Sequence, residues 1–127
     1  MIVVVRAHGE VTSLMAEFGR AAVAWIVLFV AGLLEIVWAY TMKLSEGFTR
    51  PGASVVTLVA MIASFGLLSM AMRTLPLGTA YTVWTGIGAV GAFVLGVAVL
   101  GEPAHVTRIL AAVLIVAGIV LMKMSSG

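Results

Sequence analysis

One side chain carries most of the chemistry available to this chain. Glu35 is the only acidic residue inside any of its long apolar stretches, about midway between Trp25 and Lys43. A charge held at mid-membrane costs roughly 2.5–3.5 kcal/mol on insertion scales, so it is rare without a use. A carboxylate in such surroundings can hold a proton or a cation, but not both. That mutual exclusion is the minimal chemistry of a proton-coupled cation exporter. Two structural readings compete with it: a protonated Glu hydrogen-bonded between helices, and a residue near a helix end.

Other groups can be set around Glu35 by spacing. Gly32, Glu35 and Trp38 fall at i, i+3 and i+6, with Ala31 and Ala39 one turn to either side. One helix face therefore offers a carboxylate, an indole and small residues that allow close approach. Ser64 and Ser69 are mid-block hydroxyls in the second apolar stretch. Ser64 either reaches the carboxylate or back-bonds to its own helix. Tyr81 and Trp84 share a face at i, i+3. Trp84 is deep enough to line a cavity, and an aromatic wall suits an organic cation. Tyr81 joins that wall or, like Trp25, the interfacial aromatic belt. Thr85-Gly86-Ile87-Gly88, followed by Gly91 and Gly96, weakens the third stretch in mid-span. Gly86 and Gly88 mark either a helix bend that alternates access to Glu35 or plain small-residue packing. Ala111 and Gly118, seven apart with Ala112 between them, suggest a helix–helix contact, assigned to dimerisation.

The elements that must position these groups follow from composition. Of 127 residues, 63% are hydrophobic and 9% charged, against about 25% charged in an ordinary soluble domain. Mean hydropathy is +1.25. Asp, Asn, Gln and Cys are absent. Four spans of about 20 residues each would use about 80, leaving no room for a catalytic, nucleotide-binding or receptor domain. The lack of Cys excludes disulfides and thiolate metal sites. A net charge of +2 is too small to argue for nucleic acid. Neither a metal nor a cofactor is expected.

Four apolar blocks of spanning length run over about 24–42, 53–72, 79–100 and 104–124. In lipid the backbone must satisfy its own hydrogen bonds, so these read as helices. Arg50-Pro51-Gly52, Arg73-Thr74-Leu75-Pro76 and Gly101-Glu102-Pro103 punctuate them. Short connections make successive helices antiparallel neighbours. Residues 1–22 form an extension unlike the rest, with Arg6, His8, Glu10, Glu17 and Arg20. It is expected to be disordered, a short amphipathic helix on the membrane surface, or an over-extended gene start with translation beginning at Val23. For residues 23–127, Lys43, Arg50 and Arg108 fall on one side of the membrane and Arg73 and Lys123 on the other. Counting Arg6 and Arg20 leaves the bias weak. A chain without strong positive-inside preference can insert both ways and pair with an inverted copy. A single orientation that this tally does not resolve is the other reading.

From Val23 to Gly127 the chain resembles the small multidrug resistance (SMR) transporters. The resemblance rests on Ala31-Gly32-Leu33-Leu34-Glu35-Ile36-Val37-Trp38-Ala39 and Met42-Lys43-Leu44-Ser45-Glu46-Gly47-Phe48-Thr49-Arg50. The longest matching string is Ala71-Met72-Arg73-Thr74-Leu75-Pro76-Leu77-Gly78-Thr79-Ala80-Tyr81-Thr82-Val83-Trp84-Thr85-Gly86-Ile87-Gly88-Ala89-Val90-Gly91. It implies an all-α membrane protein of four helices per subunit, working as an antiparallel, dual-topology homodimer in the bacterial inner membrane. It also implies proton-coupled export by alternating access, with one membrane glutamate per subunit in a shared site. Trp38, three residues after the glutamate, together with Ala71-Met72 and Trp84 to Gly91, resembles the guanidinium-exporter subtype. Exporters of polyaromatic cations usually have Gly at the position of Trp38. Two features depart from the subtype: the loop Ser45-Glu46-Gly47-Phe48, also familiar from the multidrug branch, and Thr82 in place of a more usual Ala. By this resemblance Glu35 binds substrate and protons, and Gly32, Trp38, Ser64, Tyr81 and Trp84 line the site. A planar guanidinium suits a carboxylate, which accepts two of its N–H groups. The expected partners are a guanidinium-type cation, protons, the lipid bilayer and a second copy of the chain. The alternatives are a multidrug exporter of quaternary ammonium or lipophilic cations, half of a heterodimeric pair, and a structural subunit of a membrane complex.

Overall fold

A computed structural model describes residues 1–125. It contains four helices: α1 (Ile2–Leu44), α2 (Pro51–Ala71), α3 (Leu77–Ala98) and α4 (Val106–Ser125). Each is long and apolar enough to cross a membrane. Prolines begin two of them. Pro51 occupies the first turn of α2, where its missing N–H costs nothing, and Pro76 precedes α3 in an extended conformation. α1 stops where Glu46, Gly47 and Phe48 all take positive φ. Ser45, fully buried, pins that turn: its hydroxyl donates to the Met42 carbonyl at 2.6 Å and accepts the Phe48 amide at 3.1 Å. α3 stops at Gly101, also at positive φ, and the Glu102 amide turns back to the Gly96 carbonyl at 2.9 Å.

Residues 1–22, expected as a separate extension, are helical from Ile2 onward and run without a break into the first span. The segment has no proline, and extending a helix that is already nucleated costs far less than starting one. At 43 residues, α1 is about 65 Å long, more than twice the roughly 30 Å hydrocarbon thickness.

Contacts between helices fix their directions. Thr57 near the start of α2 donates to Thr41 near the end of α1 at 2.7 Å. Ser64 reaches Ala31, and Leu68 and Ala71 pack with Ala24 and Leu28. As α2 advances its partners on α1 recede, so the two helices are antiparallel. α3 runs parallel to α1: Ala80 and Val83 share a cluster with Leu28, Gly88 meets Glu35, and Gly91 meets Ile36. α4 turns back along α3, with Arg108 over the ring of Phe93 and Ile119 against Gly86.

α1 thus lies between α2 and α3, while α4 packs along α3. Small residues make the close approaches. A Cβ on Gly32 would stand 2.7 Å from Ile87, and one on Gly91 would overlap Ile36. Lipid tails are as apolar as Leu, so in a bilayer this steric fit, more than burial, holds helices together. α4 has no buried residue. Cations over aromatic rings mark its two ends: Arg108 lies 5.2 Å from the Phe93 centroid and Lys123 lies 4.5 Å from that of Trp25.

Candidate functional site

The site is built on the seam between α1 and α3. Glu35 lies one turn beyond Ala31, and its carboxyl group rests directly on α3 at Gly88. A Cβ at residue 88 would fall on that carboxyl group. Glycine here therefore makes room for a side chain. Gly86 plays the corresponding part toward α4, admitting Ile119 and Ile115. Both glycines, expected to mark a bend, lie within a continuous α3.

Ser64 is fully buried, and its hydroxyl crosses to the neighbouring helix. Its Oγ donates to the Ala31 carbonyl at 2.7 Å and accepts the Trp84 indole N–H at 3.0 Å. It neither reaches the carboxylate nor back-bonds to its own helix. In a regular helix the Ala31 carbonyl also receives the Glu35 amide. Ser64 and Trp84 are thus bolted to the turn of α1 on which Glu35 stands.

The next turn is treated differently. Oε2 of Glu35 and Nε1 of Trp38 are both buried and have no hydrogen-bond partner among the described residues. A buried polar atom left unpaired costs about 1–3 kcal/mol, so such atoms call for an explanation. Here an acceptor and a donor lie three residues apart on one helix face.

A string of rings leads away from Trp38. Trp38 meets Phe65 edge-on at 6.3 Å, Phe65 meets Trp84 at 5.7 Å, and Tyr81 lies tilted against Trp84 at 5.6 Å. Trp38, Trp84 and Tyr81 were anticipated from the sequence; Phe65 was not. It is the only aromatic residue in α2 and directly follows Ser64, which is the signal that could have found it. Tyr81 is about half exposed and Trp84 is buried. Gly32 faces Ile87 rather than open space.

One turn along α1 a cavity of about 330 Å³ opens, lined by Ala39, Tyr40, Lys43, Phe93, Glu102 and Arg108 among others. The Arg108 guanidinium donates to the Pro103 carbonyl at 2.6 Å and lies 3.7 Å from the Glu102 carboxylate. A guanidinium held by a carboxylate and an aromatic face is thus already present in the fold. Ala111 and Gly118 are exposed on α4, and a Cβ on Gly118 would meet nothing.

The family model described as Small Multidrug Resistance protein matches residues 23–116. This chain belongs to the small multidrug resistance family. Curated relatives span almost their full length on it. It is 58% identical to a protein named Guanidinium exporter from Citrobacter freundii over 103 residues, covering 81% of this chain and 98% of the relative. Proteins of the same name from Yersinia pestis and Proteus vulgaris are 57% and 55% identical over 103 residues, covering 81% of this chain and 99% of each relative. Family membership and four spanning helices make this a multi-pass inner-membrane transport protein and not an enzyme. The family match begins at residue 23, so the first half of α1 lies outside it.

Proposed function

We propose that this protein exports guanidinium or small guanidinyl cations in exchange for protons, by alternating access, as an antiparallel homodimer with both copies of Glu35 in one cavity. The observation that carries this reading is that Oε2 of Glu35 and Nε1 of Trp38, three residues apart on α1, are both buried without a hydrogen-bond partner among the described residues. A planar cation rich in N–H donors satisfies a carboxylate through two parallel hydrogen bonds. The indole N–H supplies a donor to carboxylate lone pairs that the cation leaves unused. The rings of Trp38, Phe65 and Trp84 provide faces and edges for a flat cation. Relatives named Guanidinium exporter, more than half identical in sequence, favour this substrate class.

Coupling follows from competition for one carboxylate. A proton on Glu35 removes the charge that holds the cation, and a bound cation keeps the proton off. Protons entering down their gradient displace the cation outward, and the cation displaces protons on the inside. Switching the opening requires α3 to move against α1, and Gly86 and Gly88 provide the point where it bends. The second subunit meets the first along α4, whose exposed Ala111 and Gly118 allow close approach. The weak charge bias lets two copies insert in opposite senses.

The deciding experiment is solid-supported-membrane electrophysiology of the purified protein in liposomes, with guanidinium at two pH values. Guanidinium-evoked currents that weaken as pH falls, and that vanish in Glu35→Gln, are expected. Normal transport by Glu35→Gln would overturn the mechanism. A preference for quaternary ammonium in competition would move the substrate to the multidrug class.

A further inference from the structure

The first half of α1 is outside the family match and plays no part in the site. Val4, Ala7, Val11, Leu14, Phe18 and Ala21 recur at alternating steps of three and four, which places them on one face of a helix. Arg6, Ser13 and Arg20 fall on the far side. The apolar face is bare: Val11 is 53% exposed, Leu14 63% and Phe18 82%. Taking Trp25 as a residue of the interfacial belt puts about 30 Å of this helix beyond the bilayer. An apolar stripe left bare in this way has an apolar medium to find.

We propose that residues 2–22 are an interfacial arm that folds onto the phospholipid surface and lays its Leu14–Phe18 face at the acyl boundary. A second copy is the poorer occupant. Glu10 and Glu17 flank the apolar stripe on one side, and His8 and Met15 on the other. Two arms paired through that stripe set glutamate against glutamate when antiparallel, and glutamate against Met15 when parallel, so neither arrangement gains an ion pair. The lipid surface is already beside the arm. Because the arm is tethered to a spanning helix, it meets that surface at high effective concentration without a further loss of translational freedom. At its root a notch of about 480 Å³ is lined by Gly19, Arg20, Val23, Val27, Met70 and Thr74, among others. A cation and a hydroxyl over apolar walls is the chemistry of a phosphate headgroup and the top of its acyl chain. Gly19, with open space around it, is the cheapest place near the root for the helix to bend. Residues 2–22 carry two Arg and two Glu in all, so apolar area rather than lipid charge drives the contact.

The chain has no native cysteine, so single nitroxide labels can be placed without background. Labels at Val11→Cys, Ser13→Cys, Leu14→Cys and Phe18→Cys are read in proteoliposomes by collision with oxygen, which partitions into lipid, and with a water-soluble nickel chelate. The expected result is high oxygen and low nickel access at Val11, Leu14 and Phe18, reversed at Ser13. The pattern is expected to be the same in neutral phosphatidylcholine and with added phosphatidylglycerol. The Val11 and Leu14 labels leave Phe18 in place, so a weakened anchor in the Phe18 variant does not decide the outcome. Uniform nickel access would show an arm standing in water. Apolar positions shielded from both reagents would show an arm packed on protein. Either overturns the proposal, and neither bears on transport.

Discussion

Ser64 and Glu35 address successive turns of α1 and are treated in opposite ways. Ser64 is sealed: its oxygen bonds both the Ala31 carbonyl and the Trp84 indole, and it has no exposed surface. Glu35, one turn on, keeps a buried oxygen without a partner among the described residues, as does the indole nitrogen of Trp38 three residues later. Both turns lie on the same close-packed seam, so poor packing is not the cause. The lower turn is rigid and satisfied, and it holds the upper turn still with its polar atoms uncommitted. The proposed transport site needs this division. A carboxylate already saturated by the fold would have little left to offer a cation, while one on a loose scaffold would not present a fixed geometry.

The largest break in this contrast is Glu35→Gln. Transport is expected to disappear while thermal unfolding in detergent stays where it was or shifts upward, because a costly buried acceptor has been neutralised. A marked fall in unfolding temperature would make the carboxylate structural after all. Next comes Gly88→Ala, whose methyl group would land on the Glu35 carboxyl. Displacing that group by about 1 Å is expected to cost on the order of a hundredfold in guanidinium flux. Gly52→Ala, which meets open space, serves as the control. Trp38→Gly is expected to admit bulkier quaternary ammonium ions in a competition assay, and an unchanged substrate profile would remove Trp38 from selectivity.

Smaller effects test the sealed turn. Ser64→Ala strands the buried Trp84 N–H and is expected to destabilise the protein by about 1–3 kcal/mol, read from unfolding in micelles. Restoration of stability by Ser64→Thr would identify the hydroxyl, and not the volume, as the cause. Phe65→Leu keeps the bulk but loses two edge-on ring contacts, worth about 0.5–1.5 kcal/mol each. Its main readout is a weakened guanidinium affinity.

How much of this was legible depended on the kind of signal. The four helices were, because a bilayer admits few alternatives for blocks of that length. Glu35 was, because a lone carboxylate in apolar sequence is conspicuous whatever surrounds it. Gly88 reads from the sequence as a bend or as small-residue packing; the structure adds that its missing Cβ makes the seat for Glu35. That seat exists only once α3 lies parallel to α1 at this register. Ser64 was singled out, yet its partners come from two other helices, 33 residues before it and 20 after. Phe65 stands out in the sequence only as the one aromatic residue of α2, next to Ser64; that it bridges Trp38 and Trp84 depends on the register between helices.

By itself, the sequence determined that this chain lives in a membrane as helices and that Glu35 is the one carboxylate within its apolar blocks. Those conclusions rest on composition and on the price of burying charge, and both are properties of residues taken singly. Tertiary structure alone decided which polar atoms were satisfied and which were left open. That outcome depends on the register of three helices, and between α1 and α3 the missing side chains at Gly32, Gly88 and Gly91 let neighbours in.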